Sequence, residues 1–155
     1  MTKERFETLI ADVTAKISGR ALDPGLQAYL MSRYPPDGDE FKALAGACRT
    51  GIEEGWLCNR EHGGIKFGRV IKPGPATHGF SVDVVDMDNI VGPHHGHPKG
   101  EIDMVIPESE GALFDGHGTG WVVYEPNSAH EPTVSQGRAI VLYLLPDGEI
   151  DFTQK

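Results

Sequence analysis

Apolar residues recur at three- and four-residue steps from the start of the chain. Phe6, Leu9, Ile10, Val13 and Ile17 form one stripe, which predicts an amphipathic helix over residues 3–18 that Gly19 ends. Asp23-Pro24 offers an N-cap followed by proline at the first helical position, so a short second helix runs through Leu26, Tyr29 and Leu30 and stops before Pro35-Pro36. Asp37-Gly38-Asp39 opens a third helix, with Phe41, Leu44, Ala45, Cys48 and Ile52 on one face. From Trp56 the pattern changes. Short β-branched runs, Gly64–Ile71, Gly79–Met87, Glu101–Pro107, Gly120–Glu125 and Arg138–Leu145, alternate with glycine and proline, as in a sandwich or barrel. The expected fold is mainly β: an antiparallel barrel preceded by about three helices. A single domain over 1–155 is expected, with a helical segment over 1–55 and the β-barrel over 56–155. The helices are expected to cover the sheet and to build a homodimer interface.

Composition narrows this picture. The 155 residues are 39% hydrophobic and 24% charged, which is ordinary for one soluble domain. No apolar run approaches the roughly 20 residues that cross a bilayer, and no apolar signal region follows Met1-Thr2-Lys3-Glu4-Arg5-Phe6, so no membrane partner and a cytoplasmic location are expected. A net charge of −9 argues against nucleic acid, whose binding needs a basic surface. It also requires that an anionic substrate meet a local cation. Cys48 and Cys58 form no CxxC pair; Cys48 reads as a small core residue, and Cys58 is assigned no chemistry. Gly116-His117-Gly118-Thr119-Gly120 lacks the strand-to-helix context of a phosphate loop and reads as a turn.

The candidate chemistry lies in Gly92-Pro93-His94-His95-Gly96-His97-Pro98-Lys99-Gly100-Glu101. Period-2 alternation puts His95 and His97 on the same side of an extended chain, and a short bend brings Glu101 beside them. His130, on a later β-like segment, would close the set. Three nitrogens and one oxygen suit a divalent Zn, Fe, Mn, Co or Ni ion. A histidine-rich turn can be merely solvated, but the fixed spacing of Glu101 and the β-rich context favour a metal site. His94 would point away from this pair, and His62 and His117 fall in glycine-rich turns.

His95-x-His97-x-x-x-Glu101 resembles the first motif of the cupin superfamily, and Gly120 through Pro126 to His130 resembles the second. Pro126-Asn127-Ser128 stands where Pro-x-Gly is usual, and the histidine comes one residue early. The resemblance implies a small antiparallel barrel with His95, His97, Glu101 and His130 as metal ligands. Gly63–Val70, His78–Asp83, Gly92-Pro93-His94, Gly100–Asp103, Gly120-Trp121 and Leu142–Pro146 are similar to a family of small cupins that includes 4-hydroxylaminobenzoate lyases. That similarity covers most of the chain from about Gly55. It implies conversion of 4-hydroxylaminobenzoate to protocatechuate and ammonia, a step in nitroaromatic degradation with no nicotinamide or flavin. It further implies Lewis acidity at the hydroxylamine oxygen, N–O cleavage and water addition ortho to the nitrogen.

Around such a centre, alternation from Glu101 puts Asp103 and Val105 on its face, making Asp103 a general base or an acceptor for a ligand imidazole; a solvated strand-end carboxylate is the alternative. His78, beginning a strand, is a candidate acid or base or a surface-turn residue. Arg69 is the candidate partner of a substrate carboxylate, or half of an ordinary charge pair, with Lys66 and Arg138 as weaker versions. Tyr124 is assigned to substrate binding among the aromatics Phe80, Trp121, Tyr124 and Tyr143 that could line a pocket. The same four ligands would also serve an iron-dependent dioxygenase, another small-acid lyase or isomerase, or a non-catalytic sensor.

Overall fold

A computed structural model describes residues 3–152. Three helices come first: α1 (Lys3–Ile17), α2 (Pro24–Arg33) and α3 (Asp39–Glu54). The Asp23 carboxylate caps α2 by accepting from the Leu26 N–H at 2.9 Å, with Pro24 placed where no amide is needed. Gly55, at φ 87°, ends α3 in the left-handed conformation that glycine adopts without a Cβ clash. None of the described helices is long and apolar enough to cross a membrane.

Among the described residues nine strands follow: β1 (Arg60–His62), β2 (Ile65–Ile71), β3 (Phe80–Val91), β4 (His95–His97), β5 (Glu101–Pro107), β6 (Leu113–Phe114), β7 (Gly120–Tyr124), β8 (Ser128–His130) and β9 (Thr133–Pro146). Every pairing is antiparallel. The main sheet runs β1-β2-β3-β9-β5-β7, with β6 paired to the first half of β9, and β4 and β8 form a separate ribbon. The path does not close on itself: β1 and β7 stand at its two ends.

Alternation gives this sheet two faces. Val82, Val84, Ile102, Met104, Ile140, Leu142 and Leu144 share one buried cluster with Phe6, Ile10, Leu26, Leu30 and Phe41 of the helices. Met87, Val105, Phe114, Val122, Val141 and Tyr143 form a second cluster on the other face. The helices therefore cover one side and leave the opposite side to the β4–β8 ribbon. They also protect an edge: the outward Trp121 and Val123 N–H groups of β7 donate to Met31 Sδ (3.3 Å) and Gln27 Oε1 (2.9 Å) of α2. The Trp121 indole N–H donates to the Tyr34 carbonyl at 3.0 Å. An edge strand closed this way cannot template pairing with another chain.

Candidate metal centre

The ribbon sets up the site. β4 pairs with β8 so that His95 lies opposite His130 and His97 opposite Ser128. Both backbone groups of Gly96 bond to Asp151, at 2.7 and 2.9 Å, which ties β4 down from its other side. Gly100, at φ 89°, turns the chain from β4 into β5, and a Cβ there would lie 2.7 Å from the Tyr124 carbonyl. Glu101 thereby begins β5 with no solvent exposure, beneath His95 and His97, which are equally buried.

Four side chains converge. His95 Nε2 and His97 Nε2 lie 3.2 and 3.1 Å from Glu101 Oε1, and His130 Nε2 lies 3.3 Å from Oε2. The ligand atoms of all four fall within 4.8 Å of one another. The outer ring nitrogens fix how the imidazoles are protonated. His95 Nδ1 faces the Pro93 carbonyl at 3.3 Å, which can only accept. The Ser128 hydroxyl gives its one hydrogen to the Glu125 carbonyl (2.6 Å), so toward His97 Nδ1, 3.0 Å away, it acts as acceptor. His130 Nδ1 donates to Asp115 Oδ2 at 2.6 Å. Each Nδ1 thus carries a hydrogen, and all three Nε2 atoms face the Glu101 carboxylate. His97 Nε2 and Glu101 Oε2 lack any hydrogen-bond partner. Three imidazole nitrogens and a carboxylate converging in a buried pocket make a donor set that fits a divalent transition ion or zinc.

The electrostatics agree. Burial alone would raise Glu101, but the three imidazoles outweigh it and hold the carboxyl well below its usual range. Burial also works against a charged His130, yet its bonds to Asp115 and Glu101 push it up to about 9 without a metal. Asp103, fully buried on the same face, has no partner for either oxygen. Burial and the neighbouring Glu101 charge drive it well above the usual carboxylate range, so it stands as a neutral acid.

The other expected site residues are distributed differently. Tyr124 stacks on His130, ring centres 4.5 Å apart, and its hydroxyl donates to Asp115 Oδ2 at 2.5 Å, so it braces the centre. His78 sits at φ 53° against α1, its Nδ1 3.1 Å from Thr14 Oγ1. Arg69 lines a cavity of about 640 Å³ that also reaches His95, but its guanidinium is held by Asp83 at 3.0 and 3.3 Å and by the Gly148 carbonyl at 3.2 Å. Arg138 grips Asp86, at 2.8 and 2.9 Å, and Lys66 is exposed on β2. Sequence patterning missed Asp115, which joins His130, Tyr124 and the Thr133 N–H, and Ser128, which orients His97. An Asp-Gly turn and a serine two residues before a histidine carry no periodic signal. Tyr143, on the cavity wall cross-strand from both Asp83 and Asp103, was legible only as one aromatic among several.

An antiparallel sheet, a two-stranded ribbon and a largely buried His-x-His, Glu, His cluster define a small mainly-β protein with a candidate metal centre. The chain belongs to the 4-hydroxylaminobenzoate lyase family, whose model (PnbB) matches residues 8–152. It is 32% identical over 161 residues to a 4-hydroxylaminobenzoate lyase of Pseudomonas putida, covering 93% of this chain and 92% of that protein. It is 33% identical over 146 residues to another from Nocardioides sp. (strain LMS-CY), covering 88% and 86%. Among solved structures, an RmlC-like cupin protein from Ralstonia eutropha aligns over 54% of this chain and 57% of its own, at 14% identity and a TM-score of 0.42.

Proposed function

We propose that this protein is a metal-dependent lyase that converts 4-hydroxylaminobenzoate to protocatechuate and ammonia, with His95, His97, Glu101 and His130 as the metal ligands. The observation that carries the reading is the convergence of three histidine Nε2 atoms on a buried glutamate beside a 640 Å³ cavity. Family membership at about one-third identity over most of the chain supplies the substrate. A bound divalent ion would supply Lewis acidity toward the hydroxylamine oxygen.

The protein's own groups do the rest. Net, one water is consumed, nitrogen is reduced from hydroxylamine to ammonia, and the ring is oxidised by the same two electrons, so no external oxidant is required. N–O cleavage releases hydroxide, which leaves as water only if a proton is at hand. Asp103, held neutral two residues from Glu101, is the buried group that carries one. Tyr143, whose phenol is kept protonated chiefly by burial and by the Glu101 charge, lies on the cavity wall. Asp115 and Tyr124 keep the His130 ring oriented, and the apolar wall of Phe67, Val85 and Leu145 shields the ring from bulk water. The reading extends to a homodimeric, cytoplasmic enzyme, with the dimer testable by sedimentation.

Anaerobic incubation of metal-loaded protein with 4-hydroxylaminobenzoate tests this directly. Protocatechuate and ammonia should form one to one without oxygen, and Asp103→Asn should retain metal while losing most turnover. Product formation only in the presence of O₂ would replace the lyase with an oxygenase.

A further inference from the structure

The segment that follows β9 contributes two side chains to the cavity, Ile150 and Phe152, that the lyase reading leaves unassigned. It is tied to both sides of the site. The backbone of Asp151 exchanges two hydrogen bonds with Gly96, the residue between His95 and His97. Lys99, in the turn from β4 to β5, pairs with Asp147 and, at 2.9 Å, with Glu149. Arg69, on the β2 wall, donates to the Gly148 carbonyl at 3.2 Å.

The pairing of Gly96 with Asp151 is antiparallel, so its register carries on by one residue each way: Phe152 falls opposite His95, and Ile150 opposite His97. Opposite residues of an antiparallel pair put their side chains on the same face. Phe152 and Ile150 therefore project on the side from which the two imidazoles meet Glu101. The ring contact agrees, with the Phe152 and His95 ring centres 5.6 Å apart and their planes at 63°. Because β8 flanks the other edge of β4, His95 stands in one row between His130 and Phe152. Packing on His95 does not use up the Phe152 side chain. The residue is 57% exposed, and of the large apolar residues left exposed among the described ones, Met31, Val91 and Phe152, it alone lines the cavity. An aromatic ring that touches a candidate metal ligand and keeps half its surface uncovered at a cavity wall is placed to meet another ring. Phe67, Val85 and Leu145 of the main sheet add apolar wall for the same flat ligand.

We propose that Phe152, backed by Ile150, recognises the substrate's aromatic ring beside the metal centre and so selects aromatic over aliphatic hydroxylamines. Ring-on-ring and ring-on-isoleucine contacts remove apolar surface from water that a small alkyl group does not have. The Gly96–Asp151 pairing is a backbone contact, so it fixes where Phe152 stands relative to His95 without help from the Asp151 side chain. The inference rests on the lyase reading for its substrate, an aryl hydroxylamine, but binding tests it apart from turnover.

The probes are benzohydroxamate and acetohydroxamate, which carry the same metal-chelating group on a phenyl ring and on a methyl group, titrated calorimetrically into metal-loaded protein. Wild type should bind the phenyl probe at least about tenfold more tightly, as burial of the extra ring carbons implies. Phe152→Ala should lose most of that preference with acetohydroxamate affinity and metal content unchanged, and Phe152→Tyr should keep it. With 4-hydroxylaminobenzoate, Phe152→Ala should raise KM about tenfold and leave kcat within about threefold, the pattern of lost ground-state binding. No phenyl preference in wild type would overturn the proposal, as would an undiminished preference in Phe152→Ala. Loss of metal and of both probes together in that variant would also overturn it, by reducing Phe152 to a support for His95. Phe152-dependent ring binding in a wild type that does not turn over 4-hydroxylaminobenzoate keeps the proposal and discards the lyase.

Discussion

At the scale of single residues, the site is governed by where each imidazole keeps its hydrogen. His95 and His97 were legible because a two-residue spacing on an extended chain leaves no other geometry, and Glu101 because the bend before it is short. Asp115 was not legible. It reaches His130 through the pairing of β6 with β9, fifteen residues away in sequence, and no local pattern announces that contact. Its role can be measured. Asp115→Ala removes the acceptor that holds His130 Nδ1–H, and should weaken metal affinity by about 10–100-fold in a chelator competition. Asp115→Asn, whose amide oxygen can still accept, should recover part of the loss; unchanged affinity in the alanine variant would remove Asp115 from the centre. The same contact sets a proton balance. With His130 raised to about 9 in the metal-free protein, it holds a proton at pH 7 that a ligated Nε2 cannot keep. Metal uptake should therefore release about one proton per chain at pH 7 and progressively less as pH rises through 9. Calorimetry in buffers of different ionisation enthalpy reads this number, and no release at pH 7 would contradict it.

At the scale of elements, the long amphipathic stripes and the β-branched runs were legible and the joints between them were not. The run ending at Met87 continues to Val91, and the run beginning at Arg138 belongs to a strand that starts at Thr133. Both extensions lie past an irregularity: Asn89 at φ 44° in β3, and Gln136 and Gly137 at φ 65° and 133° in β9. Such bulges break the period-2 alternation on which strand recognition depends. β4 and β8, three residues each, are too short for any periodicity, yet they carry three of the four converging side chains. The joint most exposed to mutation is Gly100. Alanine there would combine a φ of 89° with contacts of 2.7 Å to the Tyr124 carbonyl and to Leu22. Gly100→Ala should cost roughly 1–3 kcal/mol in denaturant unfolding and reduce metal retention, because Glu101 moves with the turn. An unchanged unfolding midpoint would show that the bend tolerates a side chain.

At the scale of the whole molecule, the helices and the metal centre occupy opposite faces of one sheet, joined through residues such as Ile102 and Asp103 that alternate between them. The β5 alternation marked Asp103 and Val105 as sharing the face of Glu101, but not which face the helices cover. The covering of the β7 edge by Gln27 and Met31 was not legible, because it depends on where α2 packs. The two thiols report on this assembly. Cys48 is fully buried in the helix layer, and burial pushes its thiol far up. Cys58 donates to the Val84 carbonyl at 3.4 Å and is pushed up to about 12, chiefly by burial. At pH 8 neither should be alkylated by iodoacetamide in the native protein, and both should be on denaturation. Rapid native modification of Cys48 would mean that the helix layer opens freely.

The most direct test of the account measures metal content and anaerobic turnover on the same preparations of wild type and His97→Ala. Wild type should hold close to one divalent ion per chain and release protocatechuate with ammonia, while His97→Ala stays folded and loses metal and turnover together. Undiminished turnover in metal-free His97→Ala protein would contradict the claim that the buried histidine–glutamate cluster is the seat of the chemistry.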